Sequence, residues 1–266
     1  MLTFHCALWK NRELWWRLTE REVLGRYRGS LLGIGWSFIS PLAMLAVYTF
    51  IFSQVFKARW GGLEQSGPLA FAVNLFAGLI VFNLFSECAI RAPGLVVANP
   101  NYVKKVVFPL EILGCVVVGN AVFHALTSLV VLLIFELIIF HSVPLTMLWL
   151  PLVWLPLTLG ALACTWVLSA AGVFLRDIDQ LIVVGMNMLM FLSPIFFPLS
   201  ALPAKWQHML ELNPLAQAIQ QTRLVSVHGV NPSVGYITFG TLGTLVACEV
   251  SFLAFQKSKK AFADVL

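Results

Sequence analysis

The amino-acid sequence predicts an all-α integral membrane protein. Of its 266 residues, 59% are hydrophobic and 11% are charged, whereas about 25% of the residues in an average soluble domain are charged. Five apolar stretches are long enough to cross ~30 Å of hydrocarbon at ~1.5 Å per residue, and a sixth follows once the polar breaks are placed. We expect a single integral domain over 1–266 with six spans, near 34–56, 70–90, 112–140, 146–174, 181–199 and 236–256.

The lysines and arginines orient these spans, because positive charge is held preferentially on the cytoplasmic side of a membrane. Thirteen of the 17 lie in the N-terminal segment, in the tail or in the loops after the second and fourth spans, and four lie in the alternate loops. This bias explains the net charge of +5 without a nucleic-acid partner. We expect both termini in the cytoplasm, with an interface segment, a six-span region and a tail over 1–33, 34–256 and 257–266.

The N-terminal segment has the pattern of an amphipathic helix that lies in the cytoplasmic interface. It is longer and more charged than a cleaved signal peptide, so we expect it to be retained. A helix of this kind places its tryptophans in the headgroup region, and Arg26 and Arg28 then anchor the start of the first span. A basic, loosely ordered terminus is the alternative. On a helical wheel the apolar side consists of Leu8, Trp9, Trp15, Trp16, Val23 and Tyr27.

The loop at 98–111, ANPNYVKKVVFPLE, follows the second span on the expected cytoplasmic side. Pro100 is typical of a helix start and Pro109 of a stop, so one short helix fits between them. A plain connector does not need the aromatic residue and the valines of this loop, which favour a docking element for another protein. A simple basic loop is the alternative.

Two further short helices are expected on the opposite side, within residues 200–235. Pro203, Pro214 and Pro232 divide this region into PAKWQHMLELN and PLAQAIQQTRLVSVHG. Neither helix is long enough to cross a bilayer, yet both have an apolar side, so they fit helices that re-enter the outer leaflet. An ordinary extracytoplasmic loop is the alternative.

Four ionisable residues lie in or near the expected spans, where such groups are costly and therefore candidates for function. We interpret them as isolated, without the pairing that a proton relay or a catalytic site requires. Arg176 is expected to pair locally with Asp177 or Asp179, and the five scattered cysteines fit apolar packing rather than a metal or redox centre. The four residues are Glu87, His124, Glu136 and Glu249.

Aromatic residues are abundant, with 21 Phe and 9 Trp. Most are expected at lipid or at the membrane interface. Because a sugar ring has an apolar face that slides across aromatic side chains, some of those in the first span are candidates to line a carbohydrate path. Trp36, Tyr48 and Phe52 are the leading candidates. The sequence has no GxxxxGK[ST] phosphate loop and no GxSxG motif, so active transport by this protein requires ATP hydrolysis by another subunit.

Three segments together resemble the membrane permease of ABC-2-type polysaccharide exporters, a group that includes the O-antigen and capsular-polysaccharide permeases. The segments are REVLGRYRGSLLGIGWSFISPLAMLAVYTFIFSQVF at 21–56, NPNYVKKVVFPLE at 99–111 and NPLAQAIQQTR at 213–223. The resemblance implies a homodimer in the bacterial inner membrane that moves an undecaprenyl-linked glycan to the periplasm. It also implies two copies of a separate ATPase subunit, which bind ATP and Mg, and no cofactor on this chain.

The same resemblance implies that the helix at 99–108 couples this chain to the ATPase, and that the helices between the fifth and sixth spans form a periplasmic gate. A permease for another substrate, such as teichoic acid or a drug, shares this architecture. An integral glycosyltransferase or acyltransferase and a purely structural scaffold are more distant alternatives. The expected coupling residues are Asn99, Pro100, Tyr102, Val103, Lys104, Lys105 and Val106.

Overall fold

The protein folds as a bundle of helices in this computed structural model, which describes residues 3–52, 68–104 and 108–265. Every regular element within those ranges is helical. In chain order the α-helices are α1 (Thr3–Lys10), α2 (Arg12–Arg26), α3 (Trp36–Phe50), α4 (Pro68–Arg91), α5 (Gly94–Val97), α6 (Pro100–Lys104), α7 (Glu111–Phe140), α8 (Leu150–Phe174), α9 (Ile178–Leu192), α10 (Ala204–Glu211), α11 (Pro214–Ser226) and α12 (Val234–Val265).

Five segments are long and apolar enough to cross a membrane, which confirms five of the six expected spans. The first combines α3 with the 3-10 turn before it, and the fourth combines α8 with the 3-10 turn Leu145–Trp149. The end of the first expected span, at residue 56, lies outside the described residues. The five segments are Gly33–Phe50, Leu69–Arg91, Glu111–Phe140, Leu145–Phe174 and Val234–Phe262.

The expected span at 181–199 is wrong as a continuous helix. The helix found there, α9, starts at Ile178 and ends at Leu192. Its 15 residues measure ~22 Å, less than the ~30 Å of a bilayer core. The physical reason is Pro194, because a proline disfavours helical geometry at the residue before it, and Ser193 is extended, with ψ 150°.

Helix α4 lies at the centre of the bundle. It contacts α7, α11 and α8, and also α3 and α9. About 78% of the span Leu69–Arg91 is buried inside the bundle, whereas α9 has no buried residue. Fully or almost fully buried residues of α4 include Phe71, Val73, Leu75, Val81 and Leu84.

A second apolar cluster lies where α8 packs along α12. Its centre is Trp166, which is fully buried and donates through Nε1 to the carbonyl of Glu111 at 3.0 Å. The expected tail at 257–266 is a continuation of α12, which is helical to Val265. Lys259 Nζ of this continuation lies 3.1 Å from Glu111 Oε2, so the end of α12 is joined to the start of α7.

The N-terminal segment forms two helices instead of one. A break at Asn11 separates α1 from α2, and α2 lies along α7. Trp15 Nε1 donates to the carbonyl of Cys115 at 2.8 Å. Next to this bond, Gly119 of α7 makes room for Thr19, since a Cβ at Gly119 would lie 2.9 Å from Thr19 Cγ2.

Candidate functional site

A cavity of about 1100 Å³ lies between α2, α3, α4 and α7, and Met190 of α9 also reaches it. We call the end of the bundle near α2 and α5 the α2 end, and the opposite end, near α10 and α11, the α11 end. The cavity extends from the α2 end into the bundle, and many of its lining side chains carry hydroxyl or amide groups. These include Ser37, Ser40, Asn83, Ser86, Thr127 and Ser128.

Glu87 is the centre of a charged cluster at the α2 end of this cavity. Its Oε1 accepts from Arg26 Nη1 at 3.1 Å and lies 3.6 Å from Nη1 of Arg91, one helical turn further along α4. Asn120 Nδ2 donates to the same oxygen at 3.0 Å. Its other oxygen, Oε2, lies 2.8 Å from His124 Nδ1. One carboxylate therefore joins three helices, α2, α4 and α7.

The cluster continues through His124 to Tyr27, the residue that follows α2. His124 Nε2 lies 3.3 Å from the Tyr27 hydroxyl. Partial burial, the largest influence on that phenol, raises the pKa of Tyr27, so Tyr27 is protonated near neutral pH and able to donate to His124. The interpretation of Glu87 and His124 as isolated residues is wrong, because the packing of both α2 and α4 against α7 brings their partners together.

A second ion pair at the α2 end joins Arg91 of α4 to Glu22 of α2. Arg26 and Glu22 lie one helical turn apart on α2, and both bond to residues near the end of α4. Two ion pairs therefore link α2 to α4, with the arginine on α2 in one pair and on α4 in the other. The i,i+4 spacing of Glu87 and Arg91 is the one part of this cluster that the sequence indicates by itself.

Two of the three aromatic residues expected on a path line the cavity. Trp36 and Tyr48, both on α3, are among its lining residues. The third, Phe52, packs against the main apolar core and stacks on Phe71, with ring centroids 4.8 Å apart. Whether these aromatic residues line a translocation path stays a prediction.

Only some residues on the apolar side expected for the N-terminal helix face the bundle, and the others are exposed. Val23 is buried and Trp15 bonds to α7, whereas Trp9 and Trp16 are 73% and 65% exposed. Arg12 lies over the Trp9 ring at 5.1 Å. The helical wheel predicts that these residues lie near one another on the helix surface. Helix α7 covers only those on one side of this surface.

Arg28, the other expected anchor, is exposed in the turn after α2. Arg26 bonds to Glu87 instead of acting only as an anchor for the first span. Two exposed tryptophans and an exposed arginine remain on the outer side of the N-terminal segment. This composition is typical of a helix that contacts lipid headgroups.

The expected coupling helix is present as α6, with α5 immediately before it. Asn99 precedes α6, which starts at Pro100, and Asn99 Nδ2 donates to the carbonyl of Leu95 at 2.9 Å. Tyr102 stacks on Phe108 with ring centroids 4.2 Å apart, and Arg21 Nη2 lies 3.3 Å from its hydroxyl. Lys105 and Val106 lie outside the described residues, as does the side chain of Lys104.

Tyr102 and Val103 are half-buried and pack against the apolar cluster around Trp166. They therefore attach α6 to the bundle. Asn101, between Pro100 and these two residues, is exposed. The role of this helix in coupling stays a prediction.

The other two ionisable residues of the spans, Glu136 and Glu249, differ in their hydrogen bonding. Glu136 of α7 is 2% exposed, and neither carboxylate oxygen has a hydrogen-bond partner in the described part of the chain. Glu249 of α12 accepts from the backbone N–H of Thr3 at 3.0 Å and so joins α1 to α12. Within the described ranges, the expected local ion pair of Arg176 is also absent.

Arg223 is one of the four cations expected in the alternate loops, and its position on the outer side of the membrane stays a prediction. It lies on α11, is 5% exposed, and donates to backbone carbonyls of two other segments. The two helices expected in this region are confirmed as α10 and α11. Asn213 caps α11, since its side chain accepts from the N–H of Leu215 at 3.0 Å.

The cysteines and the possible metal ligands of the described ranges are spread through the bundle. No group of three or more His, Cys, Asp or Glu residues there has the geometry to hold a metal ion. All five cysteines are free thiols, and Cys88, Cys115 and Cys248 are buried. These three agree with the interpretation of the cysteines as packing residues.

The fold and the cavity together define a multi-pass membrane protein whose helices enclose a partly polar interior. The sequence profile of the ABC-2 type transporter family matches residues 13–225. The chain therefore belongs to the ABC-2 type transporter family.

Proteins similar to this chain have names from polysaccharide export. The O-antigen export system permease protein RfbA of Myxococcus xanthus is 28% identical over 259 residues, 97% of this chain and 96% of the relative. The protein of the same name from Klebsiella pneumoniae is 25% identical over 253 residues, 94% and 93% of the two chains. The polysialic acid transport protein KpsM of Escherichia coli is 25% identical over 239 residues, 85% and 86%.

Proposed function

We propose that this chain is the membrane-spanning permease subunit of an ABC transporter that exports an undecaprenyl-linked, O-antigen-like polysaccharide from the cytoplasm to the periplasm. The main support is the similarity to O-antigen export permeases over more than nine-tenths of the chain. In this proposal two copies of the chain form the transport unit in the bacterial inner membrane. Two copies of a separate ATPase subunit bind ATP and Mg.

The proposed orientation places the α2 end in the cytoplasm. It rests on the bias of lysine and arginine toward the N-terminal segment, the loop at 98–111 and the end of α12. With this orientation the cavity lies on the cytoplasmic side of the bundle, where a lipid-linked glycan is made. α10 and α11 then lie at the periplasmic side, as outer-leaflet helices, and α9 with the residues after it is the sixth membrane segment.

The cavity has the chemistry to bind a sugar chain without holding it tightly. Trp36 and Tyr48 offer aromatic surface to the apolar faces of sugar rings, and the serine, threonine and asparagine side chains offer exchangeable hydrogen bonds. A transported polymer needs many weak contacts of this kind, since each sugar must leave the position that the next one occupies. The chain moves its substrate and changes no covalent bond in it.

Coupling to the ATPase is proposed at α5 and α6. Tyr102 stacks on Phe108 just before α7, and Arg21 of α2 reaches the Tyr102 hydroxyl. A push on α6 by a partner subunit is therefore passed to α7 and to α2. From α2 it reaches α4 through the Arg26–Glu87 and Glu22–Arg91 pairs.

A permease of the same family for a different substrate is the second candidate. The Escherichia coli relative is named for polysialic acid transport, and a capsular glycan is one such substrate that the architecture fits. Teichoic acid and a drug are further substrate classes that fit the same architecture. The relatives named for O-antigen export cover more of this chain, and for this reason we place O-antigen first.

Alanine substitutions in the cavity test the proposal in cells. We expect Trp36→Ala and Tyr48→Ala to reduce the amount of long polysaccharide at the cell surface while the protein stays in the membrane. Phe52→Ala is expected to act through packing against Phe71 and to lower the amount of folded protein as well. Surface glycan is measured by immunoblotting, and the protein by membrane fractionation.

Deleting the gene for this chain distinguishes between the candidate substrates. If the deletion leaves every surface and capsular glycan intact, polysaccharide export is not the function. Loss of a capsule alone favours the second candidate. Cysteine labelling at Lys205 in intact cells tests the orientation, and labelling only after permeabilisation would contradict it.

A further inference from the structure

Arg223 connects three parts of the bundle at the α11 end. From α11 its Nε donates to the carbonyl of Asn74 on α4 at 2.8 Å. Nη1 donates to the carbonyl of Pro194 at 2.6 Å and Nη2 to that of Ile195 at 2.7 Å, both in the segment just after α9. A planar guanidinium is suited to such divergent acceptors, because its five N–H donors point outward in a fixed fork.

The carbonyls that accept from Arg223 belong to a buried break in the helical structure. Ser193 and Ile195 are fully buried, although α9 has ended at Leu192. Non-helical backbone at membrane depth requires hydrogen-bond partners inside the protein, since lipid supplies none. Arg223 satisfies two such carbonyls and holds residues 193–198, which we call the closing segment, against α4.

Gly78 provides the space that this arrangement needs. It lies on α4 one turn after Asn74, and a Cβ built on it would be 2.7 Å from Arg223 Nη2 and 3.3 Å from Cζ. Any residue other than glycine therefore pushes the guanidinium away from its acceptors. Replacing Gly78 by alanine therefore disturbs the Arg223 hydrogen bonds without changing the charge of any residue.

The Arg223 bonds lie directly beyond the cavity. Phe76 of α4 and Tyr48 of α3 are lining residues, and Asn74 is two residues further toward the α11 end. Met190 of α9 also lines the cavity, and the closing segment starts three residues after it. The closing segment and α11 therefore lie between the cavity and the α11 end of the bundle.

We propose that Arg223 is a positioning residue for transport, which keeps the cavity closed at the α11 end by holding the closing segment to α4. This inference rests on the proposed function, in which the α11 end faces the periplasm. Opening requires the bonds to Pro194 and Ile195 to break together, because both acceptors lie on the same short segment. A passing glycan then displaces the closing segment as one unit.

Ion leakage through the full-length protein tests this role. Wild type, Gly78→Ala and Arg223→Lys are reconstituted into liposomes loaded with potassium, without nucleotide and without glycan. We expect Gly78→Ala to raise potassium efflux about tenfold, because loss of one charge-assisted hydrogen bond shifts a closed-to-open equilibrium by about that factor. Arg223→Lys keeps the charge but loses the planar fork, so we expect efflux at least as high.

Gly243→Ala on α12 is the matched control. A Cβ at Gly243 meets no atom within 4 Å, so this variant adds the same methyl group to a helix without displacing Arg223, and its efflux should equal that of wild type. Efflux from Gly78→Ala and Arg223→Lys at the level of Gly243→Ala would overturn the proposal. A role in folding alone predicts less reconstituted protein and no increase in efflux per molecule.

The leakage assay is independent of the substrate. If efflux rises as expected but no polysaccharide depends on this chain in cells, the proposed function fails while the closure by Arg223 stands. If export depends on the chain but efflux does not change, the closure lies elsewhere in the protein.

Discussion

The two ends of the cavity are held by different kinds of bond. At the α2 end, Arg26 and Arg91 meet the Glu87 carboxylate, and the Arg26 side chain is 55% exposed. At the α11 end, Arg223 is almost fully buried and donates to three backbone carbonyls, those of Asn74, Pro194 and Ile195. Side chains can exchange partners while the helices stay intact, whereas backbone carbonyls move only with the chain that contains them.

The kind of bond at each end of the cavity determines how easily that end can rearrange. Exposed ion pairs contribute little to stability and are screened by salt, so the ion pairs between α2 and α4 are easily broken and reformed, while Val23 and Trp15 keep α2 attached to the bundle. A buried arginine bonded to backbone is costly to disturb, because the groups left behind have no water to bind. The ion pairs at the α2 end therefore rearrange more easily than the hydrogen bonds of Arg223 at the α11 end.

The largest expected effect follows removal of Arg223. Arg223→Met keeps much of the side-chain volume but leaves the carbonyls of Pro194 and Ile195 without this donor, and each such loss costs ~1–3 kcal/mol. We expect the free energy of unfolding to fall by about 3 kcal/mol. Unfolding of the purified full-length chain in detergent measures it. Lys205→Met, on an exposed residue of α10, is the control and should change little. Equal effects from both would contradict the comparison.

The second effect concerns the link between α6 and the bundle. Replacing both Tyr102 and Val103 by glycine removes the stack on Phe108 and weakens a helix of five residues, at ~1 kcal/mol for each glycine. We expect loss of ATPase co-purification, or hydrolysis without export, with insertion of the chain unchanged.

Co-purification of the ATPase and the amount of surface polysaccharide measure this effect. Val234→Ala, at the exposed start of α12, is the control because it lies at the opposite end of the bundle. Unchanged values for both measurements in the double glycine variant would place the coupling contact elsewhere.

A third, smaller effect is expected for the charge of Glu87. Glu87→Gln keeps the shape of the side chain but removes its attraction to Arg26 and Arg91. Because Arg26 is more than half exposed, we expect a coupling energy of about 0.5–1 kcal/mol in a double-mutant cycle with Arg26→Met. Glu20→Gln, an exposed carboxylate on the same helix as Arg26, should show no coupling. A coupling as large as the Arg223 effect would remove the distinction between the two ends.

The smallest effect is a response to salt. Raising the ionic strength from about 0.15 to 1 M shortens the Debye length from ~8 to ~3 Å and weakens exposed pairs. We expect amide hydrogen exchange in α2 to rise about two- to threefold, as a loss of ~0.5 kcal/mol implies, while exchange in α11 stays constant. A rise of equal size in both helices would indicate general loosening of the bundle.

Local patterns in the sequence were sufficient for much of the fold. Apolar length predicts the five spans, and prolines predict both α10 and α11, because these signals act within a few residues of where they occur. The same signals place α6 after Asn99. Apolar length places the end of α9 incorrectly, because the residues on both sides of Pro194 are apolar and so extend the expected span. The helix itself ends at Leu192, before the proline.

Apart from the Glu87–Arg91 pair, the contacts of the charged residues in the two clusters were decided by tertiary structure. Arg26 meets Glu87 across 61 residues and His124 across 98, and Arg223 meets Asn74 across 149. A helical period relates a residue only to neighbours three or four positions away. The sequence therefore shows which residues are ionisable but not which of them pair over longer distances. The sequence thus determined that this protein is a bundle of membrane helices with a basic N-terminal segment. The packing of α2, α4, α7 and α11 decided which charges join those helices, because burial brings together groups that are distant along the chain.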